Sequence, residues 1–278
     1  HIWLRHFGSP LVDSVFDFGV NGKRPKQPAL LDWLATSFMD SGWSMKSLHR
    51  LMVTSQAYQR QSTASASASA AANLEIDPQN ETLWRMNPRR MEAEVIRDNL
   101  LQVAGRLDES LGGPDLDPTV GLTSGRRSLY FRHAKEKRVM FLKLFDSANA
   151  TSCYRRSESV VPQQALALAN SPIAFEQSRI LAAKISKEIP ESNPEVQRAA
   201  FVKNAFNQIL GRPPAREELA ACEAYLAKLS DRLADHSTLS AFGGPASSPV
   251  KPSDDPAQRA RESLVHVLFN HNDFVTIR

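Results

Sequence analysis

The sequence predicts a mainly α fold, an irregular multi-helix domain with one small β-hairpin and long loops. Three observations carry this expectation. Apolar residues recur at three- and four-residue spacing over much of the chain. Prolines and short polar residues stand where those stretches begin. Only two short runs alternate in the manner of strands.

Residues 1–28 set Trp3, Phe7, Val15, Phe16 and Phe18 among glycines and prolines, which predicts a packed loop. A helix follows from Pro28 through Leu30, Leu31, Leu34 and Phe38, stopping by Gly42. Ser44 caps a second helix with Leu48, Leu51, Met52 and Tyr58 on one face, so the two form a helical hairpin. The Ser/Ala tract over 61–73 has nothing to bury, and an exposed low-complexity loop is expected over 61–79. Asn87 and Pro88 should open a long helix whose stripe runs from Met91 to Leu111, ended by Gly112 and Gly113. The hairpin is placed at Ser128 to Arg132 and Val139 to Phe145. Helices return from Pro162 to about Ile189 with a break at Asn170-Ser171-Pro172, then over 194–210, 215–230 and 257–270. A long loop is expected over 231–256. The domain thus divides into a helical part at 1–113, a hairpin and polar loop at 114–161, and a helical part at 162–278.

Composition narrows the function classes. Net charge is +4, from 34 basic and 30 acidic residues, with small clusters at Arg85, Arg89, Arg90 and at Arg132, Lys135, Lys137, Arg138. A nucleic-acid domain carries a stronger excess with interleaved aromatics, so nucleic acid is not the leading partner. No apolar run is long enough for a transmembrane helix. Two cysteines, Cys153 and Cys222, are too few for a disulfide framework, and no CxxC, CxxCH or paired Cys/His spacing is present. No metal site and no cofactor are therefore expected in this segment. His1, His6, Asp13 and Asp17 fit no ligand motif. GxSxG, P-loop, GxGxxG and HExxH signatures are absent. The chain opens at His1 without a Met, inside a patterned segment, so the native N-terminus and any targeting signal are expected upstream.

The most suggestive polar stretch runs from Asp146 to Asn170. Asp146, Arg155, Arg156, Gln163, Gln164 and Asn170 lie in a loop leading into a helix. Guanidinium forks and amides at a helix start can hold a carboxylate, sulfate or sugar hydroxyl. The competing reading pairs the arginines with Asp146 and Glu158 and spends the glutamines on loop backbone. A second cluster, Glu94, Arg97 and Asp98, shares a helix face. An intrahelical ion pair is its simplest account, and a polar network its account if buried.

Several phrases occur in a familiar order: HFGSPLV (6–12), DFGVNGKRPKQPALLDWLA (17–35), SGWSMKSLHRLMVTSQAYQRQS (41–62), RRMEAEVIRDNLLQVAGRLDESLGG (89–113) and CYRRSESVVPQQALALANSP (153–172). Together they resemble the Planctomycete-type surface-protein domain catalogued as domain of unknown function 1553, as one family domain spanning nearly the whole chain. Two departures stand out: the Ser/Ala tract, and Gln27 where a His is expected. The resemblance implies a C-terminal piece of a larger bacterial protein in a periplasmic or cell-surface setting. It implies a companion domain of the same polypeptide as partner, with any c-type haem carried in an upstream, cytochrome-c-like domain. It implies no established reaction. The expected function is an interaction or ligand-binding module that docks its companion and contributes to polysaccharide binding. The alternative is an enzyme acting on an extracellular polymer, with Asp146 or Asp98 as acid–base group and the arginine pair as anion clamp.

Overall fold

Proline opens five of the eleven α-helices among the described residues, because it gives up only an N–H that the first turn leaves unbonded. The computed structural model describes residues 1–17, 19–63, 68–152, 156–190, 193–235, 237, 239 and 248–277. Its helices are α1 (Ile2–Phe7), α2 (Pro28–Asp40), α3 (Met45–Val53), α4 (Ala68–Ile76), α5 (Ala93–Val103) and α6 (Met140–Leu144), followed by α7 (Pro162–Asn170), α8 (Pro172–Glu188), α9 (Pro194–Leu210), α10 (Arg216–Ala234) and α11 (Pro256–Phe269). Two-residue strands β1 (Arg89–Arg90) and β2 (Thr276–Ile277) form an antiparallel pair. The fold is mainly α with one small two-stranded β element. Side-chain caps agree with the sequence: Ser44 accepts from the Ser47 N–H, Asn193 from Val196, and Asp255 from Ala257 and Gln258. Among the described residues, no helix is long and apolar enough to cross a membrane.

The chain forms two compact units: residues 1–90 with the tail from Thr276, and Met91–Val275. The first has a small core of Phe7, Leu11, Leu34, Leu48, Met52 and Met86. Trp3 stacks on Phe7 with ring centres 4.0 Å apart. Asn80 is fully buried with φ 55°. Its Nδ2 donates to the Arg85 carbonyl at 2.8 Å and to Asn87 Oδ1 at 2.9 Å, and its Oδ1 accepts from the Arg85 N–H. Asn87 in turn donates to the Phe7 carbonyl at 3.0 Å, which braces this loop against α1.

The second unit holds the larger core. Ile96 and Leu100 of α5, Leu181 and Ile185 of α8, Phe201 of α9 and Phe269 of α11 are all fully buried. Helix α11 packs on α8, α9 and α10. Past the end of α9, Arg212 donates to both oxygens of Glu218 at 2.7 and 2.8 Å and reaches Asp273 at 2.9 Å. One guanidinium thus ties α9, α10 and the 3-10 turn Asn272–Val275 together. The Arg212 bond, foremost, lowers the Glu218 carboxyl to about 2. A depressed carboxylate contributes stability above its unfolded pKa and loses it as pH falls through the folded value. Acid titration should therefore weaken this unit between about pH 4.5 and 2. The Glu218→Gln variant should lose about 1 kcal/mol at neutral pH, a partly exposed pair being screened, and show a flatter acid limb in denaturant midpoint against pH.

Five expectations are corrected. Residues 2–7 form α1 rather than loop, because Trp3 and Phe7 repeat at helical spacing and Gly8, at φ 72°, ends the turn. Part of the Ser/Ala tract is α4, largely exposed, since alanine is the strongest helix former. The β pair lies at 89–90 and 276–277, not at 128–132 and 139–145. Ser128–Tyr130 is a 3-10 turn and 140–144 is α6, burying Phe141, Leu142 and Phe145. A short apolar run fits strand or helix equally well, and here the helix face won. Helix α5 begins at Ala93, since Asn87 is spent on Phe7 and Arg89–Arg90 on β pairing. It ends at Val103 because Gly105 turns at φ 72° while the Arg106 N–H bonds the Leu101 carbonyl at 2.7 Å. Phe18, Cys153, Arg155, residues 64–67 of the tract and much of the 231–256 loop lie outside the described residues.

Candidate functional site

Helix α5 has two working faces. The stripe of Ile96 and Leu100 faces the core, and the opposite face carries Glu94, Val95, Asp98, Asn99 and Gln102. Those five side chains line an open cleft of about 640 Å³, with Leu107, Glu109, Leu111, Arg127 and Leu129 on its other wall.

Glu94 belongs to a cross-chain cluster. Arg156 donates to both its oxygens at 3.2 and 3.0 Å and lies 3.5 Å from Glu92. The Ala148 N–H adds a long contact of 3.4 Å. Arg156 thus meets Glu94 and Glu92, not Asp146 or Glu158. An arginine already held between two carboxylates has little positive charge to offer an anion.

Asp98 accepts from the Ser128 N–H at 2.8 Å and hydroxyl at 2.6 Å, with Arg127 3.8 Å away. Arg97 points inward and is fully buried. Its Nε donates to the Gly121 carbonyl at 2.6 Å, and its two terminal nitrogens reach the carbonyls of Arg126 and Ser124. The guanidinium also stands 4.8 Å over the Phe131 ring. Burial lowers the Arg97 pKa, with Asp98 opposing. The trio, expected as an intrahelical ion pair or, if buried, a polar network, is divided only at Glu94, which turns to Arg156. Arg97 stays 3.4 Å from Asp98, shares Ser128 with it and pins the loop at 121–128. That loop carries Arg127, so the buried arginine positions one wall of the cleft.

Asp146 sits at φ 59°, and its Oδ2 accepts from the Ser159 N–H at 2.7 Å and hydroxyl at 2.6 Å. Gln164 is buried at the start of α7 and donates to the Leu144 carbonyl and the Ser159 hydroxyl. Gln163 is exposed. Asn170 is exposed and bonds its own helix at the Leu166 carbonyl. Asp146 and Gln164 therefore share Ser159, while Gln163 and Asn170 join no network with them. Gln27, where a His was expected, caps nothing and donates to the Glu81 carbonyl at 2.9 Å.

In the other unit, His6 Nε2 and His49 Nδ1 meet at 2.7 Å across α1 and α3. Burial, His49 and Arg89 together lower the His6 pKa. Among the described residues, no group of three or more His, Cys, Asp or Glu side chains comes together as a metal site.

Sequence reasoning missed Asn99, Gln102, Glu109 and Arg127. A signal for the first two existed: Asn99 falls four residues from Val95 and Gln102 four from Asp98, on the face opposite the apolar stripe. Glu109 and Arg127 sit in irregular segments and carry no periodic signal.

A family model described as Protein of unknown function (DUF1553) matches residues 1–226, which takes in the whole cleft and ends within α10. No curated protein and no solved structure matches the chain.

Proposed function

The chain belongs to the family described as protein of unknown function DUF1553, and from that premise we propose that it is a ligand-binding module whose α5 cleft takes a neutral, hydroxyl-rich polymer. The observation that carries this is the balance of groups in the cleft. Arg127 is the one arginine lining it among the described residues, Glu94 and Asp98 being paired from outside with Arg156 and Arg97, and it stands with Glu109 beside two amides and the exposed aliphatic side chains of Val95, Leu111 and Leu129. Carboxylates accept hydrogen bonds, amides both give and accept, and aliphatic walls cover C–H surface, a combination suited to sugar hydroxyls. With Glu94 held by Arg156, Asp98 by Arg97, and Arg127 lining the cleft with Glu109, no excess of positive charge is left there to draw an anionic polymer. In this reading the module works in an exported multidomain protein, at the periplasm or cell surface, docked on a companion domain that carries any haem.

An enzymatic reading asks Asp98 or Asp146 to move protons. Both carboxylates spend an oxygen on a serine N–H and hydroxyl, and Glu94 is held by Arg156, so the geometry favours holding over turnover. A thermal-shift screen of neutral and sulfated polysaccharides with a parallel reducing-sugar assay tests the proposal. A neutral polymer should raise the melting temperature, since only binding to the folded state can do so. The Asn99→Ala/Gln102→Ala variant should melt as the native chain does alone and lose that shift. No shift with any neutral polymer, or a shift that survives this variant, would overturn the assignment, and released sugar ends would make it an enzyme.

A further inference from the structure

Four cations gather elsewhere in the same unit. A groove of about 710 Å³ runs beside the second half of α8, closed on its other side by Val250, Lys251 and Ser253 and by Gln258 and Glu262 of α11. Arg179, Lys184, Lys187 and Lys251 all line it. Lys184, Lys187 and Lys251 are exposed, and none has an acidic partner within ion-pair distance among the described residues. Two carboxylates share the groove. Glu188 is exposed at its rim, whereas Glu262 is buried and turned to accept from the Ser253 N–H at 3.2 Å. Arg179 is fixed in place by donating to the Val250 carbonyl.

We infer that this groove is a second binding surface, for a linear polyanion of the sulfated-polysaccharide class. Three properties support that class. The cations are spread along the groove: Lys184 and Lys187, three apart, share one face of α8, and Arg179 lies about 12 Å along the helix from Lys187 at 1.5 Å rise per residue. A linear chain with repeated charges meets several at once, whereas a single small anion meets one. Strongly hydrated lysine ammoniums attract by charge without demanding one fixed geometry, which suits a polymer that slides in register. The floor is aliphatic, from Ile180, Ala183 and Val250, with no aromatic ring for a nucleobase to stack on among the described residues that line it. The surface is separate from the α5 cleft and takes the opposite kind of polymer.

Isothermal titration of the native chain with dextran sulfate, unmodified dextran and an oligo-dT strand tests it. The triple variant Lys184→Glu/Lys187→Glu/Lys251→Glu should bind dextran sulfate at least about tenfold more weakly, close charge contacts having been reversed. A matched control, Lys135→Glu/Lys203→Glu/Lys228→Glu, makes the same change in net charge at exposed lysines elsewhere and should keep most of the affinity. Asn99→Ala/Gln102→Ala should leave dextran sulfate binding unchanged, which separates this surface from the cleft. Equal loss in both triple variants would show mere attraction to a basic protein and overturn the site. Failure of the native chain to bind dextran sulfate at low salt would overturn it too, as would oligo-dT binding of equal strength.

Discussion

Replacing Arg97 with alanine should destabilise the second unit by about 3–5 kcal/mol, the usual cost of breaking a buried charged network. The guanidinium is fully buried and supplies the carbonyls of Gly121, Ser124 and Arg126. Truncation leaves those acceptors dry and unbonded, empties the space over Phe131 and frees Asp98 of its nearest cation. Each orphaned buried group costs about 1–3 kcal/mol. Lysine should not rescue it, because one ammonium cannot reproduce a planar fork that reaches three carbonyls. Far-UV circular dichroism in urea is the measurement, the core helices of this unit giving the signal. A midpoint shift under about 1 kcal/mol would mean the loop at 121–128 holds itself. Because that loop carries Arg127, neutral-polymer binding should weaken together with stability.

Asn80→Ala is the counterpart in the first unit, with an expected loss of about 3 kcal/mol. Two kinds of cost add. The amide bonds to Arg85 and Asn87 vanish inside a closed core. Alanine must also hold φ 55°, a backbone region that asparagine tolerates and other side chains resist. All four tryptophans, Trp3, Trp33, Trp43 and Trp84, lie in this unit, so tryptophan fluorescence reports its unfolding separately from the helical signal. Asn80→Asp separates the two costs. It keeps the left-handed tolerance but turns a donor toward two acceptors into a charge, so it should lose as much as alanine does. A variant near native stability would show that backbone conformation, rather than the amide, matters at this position.

Elements with local punctuation were readable from sequence. Helices α2, α7, α8, α9 and α11 start at prolines, and α3 at Ser44, because the information sits within four residues of the boundary. What escaped depended on distant partners. Arg89 and Arg90 read as surface charge or as helix, and only Thr276 and Ile277 make them a strand. Arg97 is three residues from Glu94, the spacing of an ordinary surface pair, and nothing local says that it turns inward while Glu94 meets Arg156 from the far side of the sequence. In the polar stretch from Asp146, Ser159 is the unrecognised centre that Asp146 and Gln164 share. Its anion-holding role was read from residue type. The structure gives Arg156 to glutamates, while Lys184 and Lys187, without acidic partners among the described residues, stand on α8, where a helix period makes any row of lysines look like a solvated face.

The pairing of Arg90 with Thr276 has a consequence in time. On a ribosome, residues 1–90 emerge before Met91–Val275, yet the strand that completes their unit is made only after all of that stretch. The larger unit has its whole core in one uninterrupted stretch and can close while the smaller one still waits for its last partner. Order of synthesis and order of completion are thus reversed. A chain stalled before Thr276 would carry a finished second unit and an open edge at Arg89–Arg90, the kind of unpaired strand on which a neighbouring copy can dock.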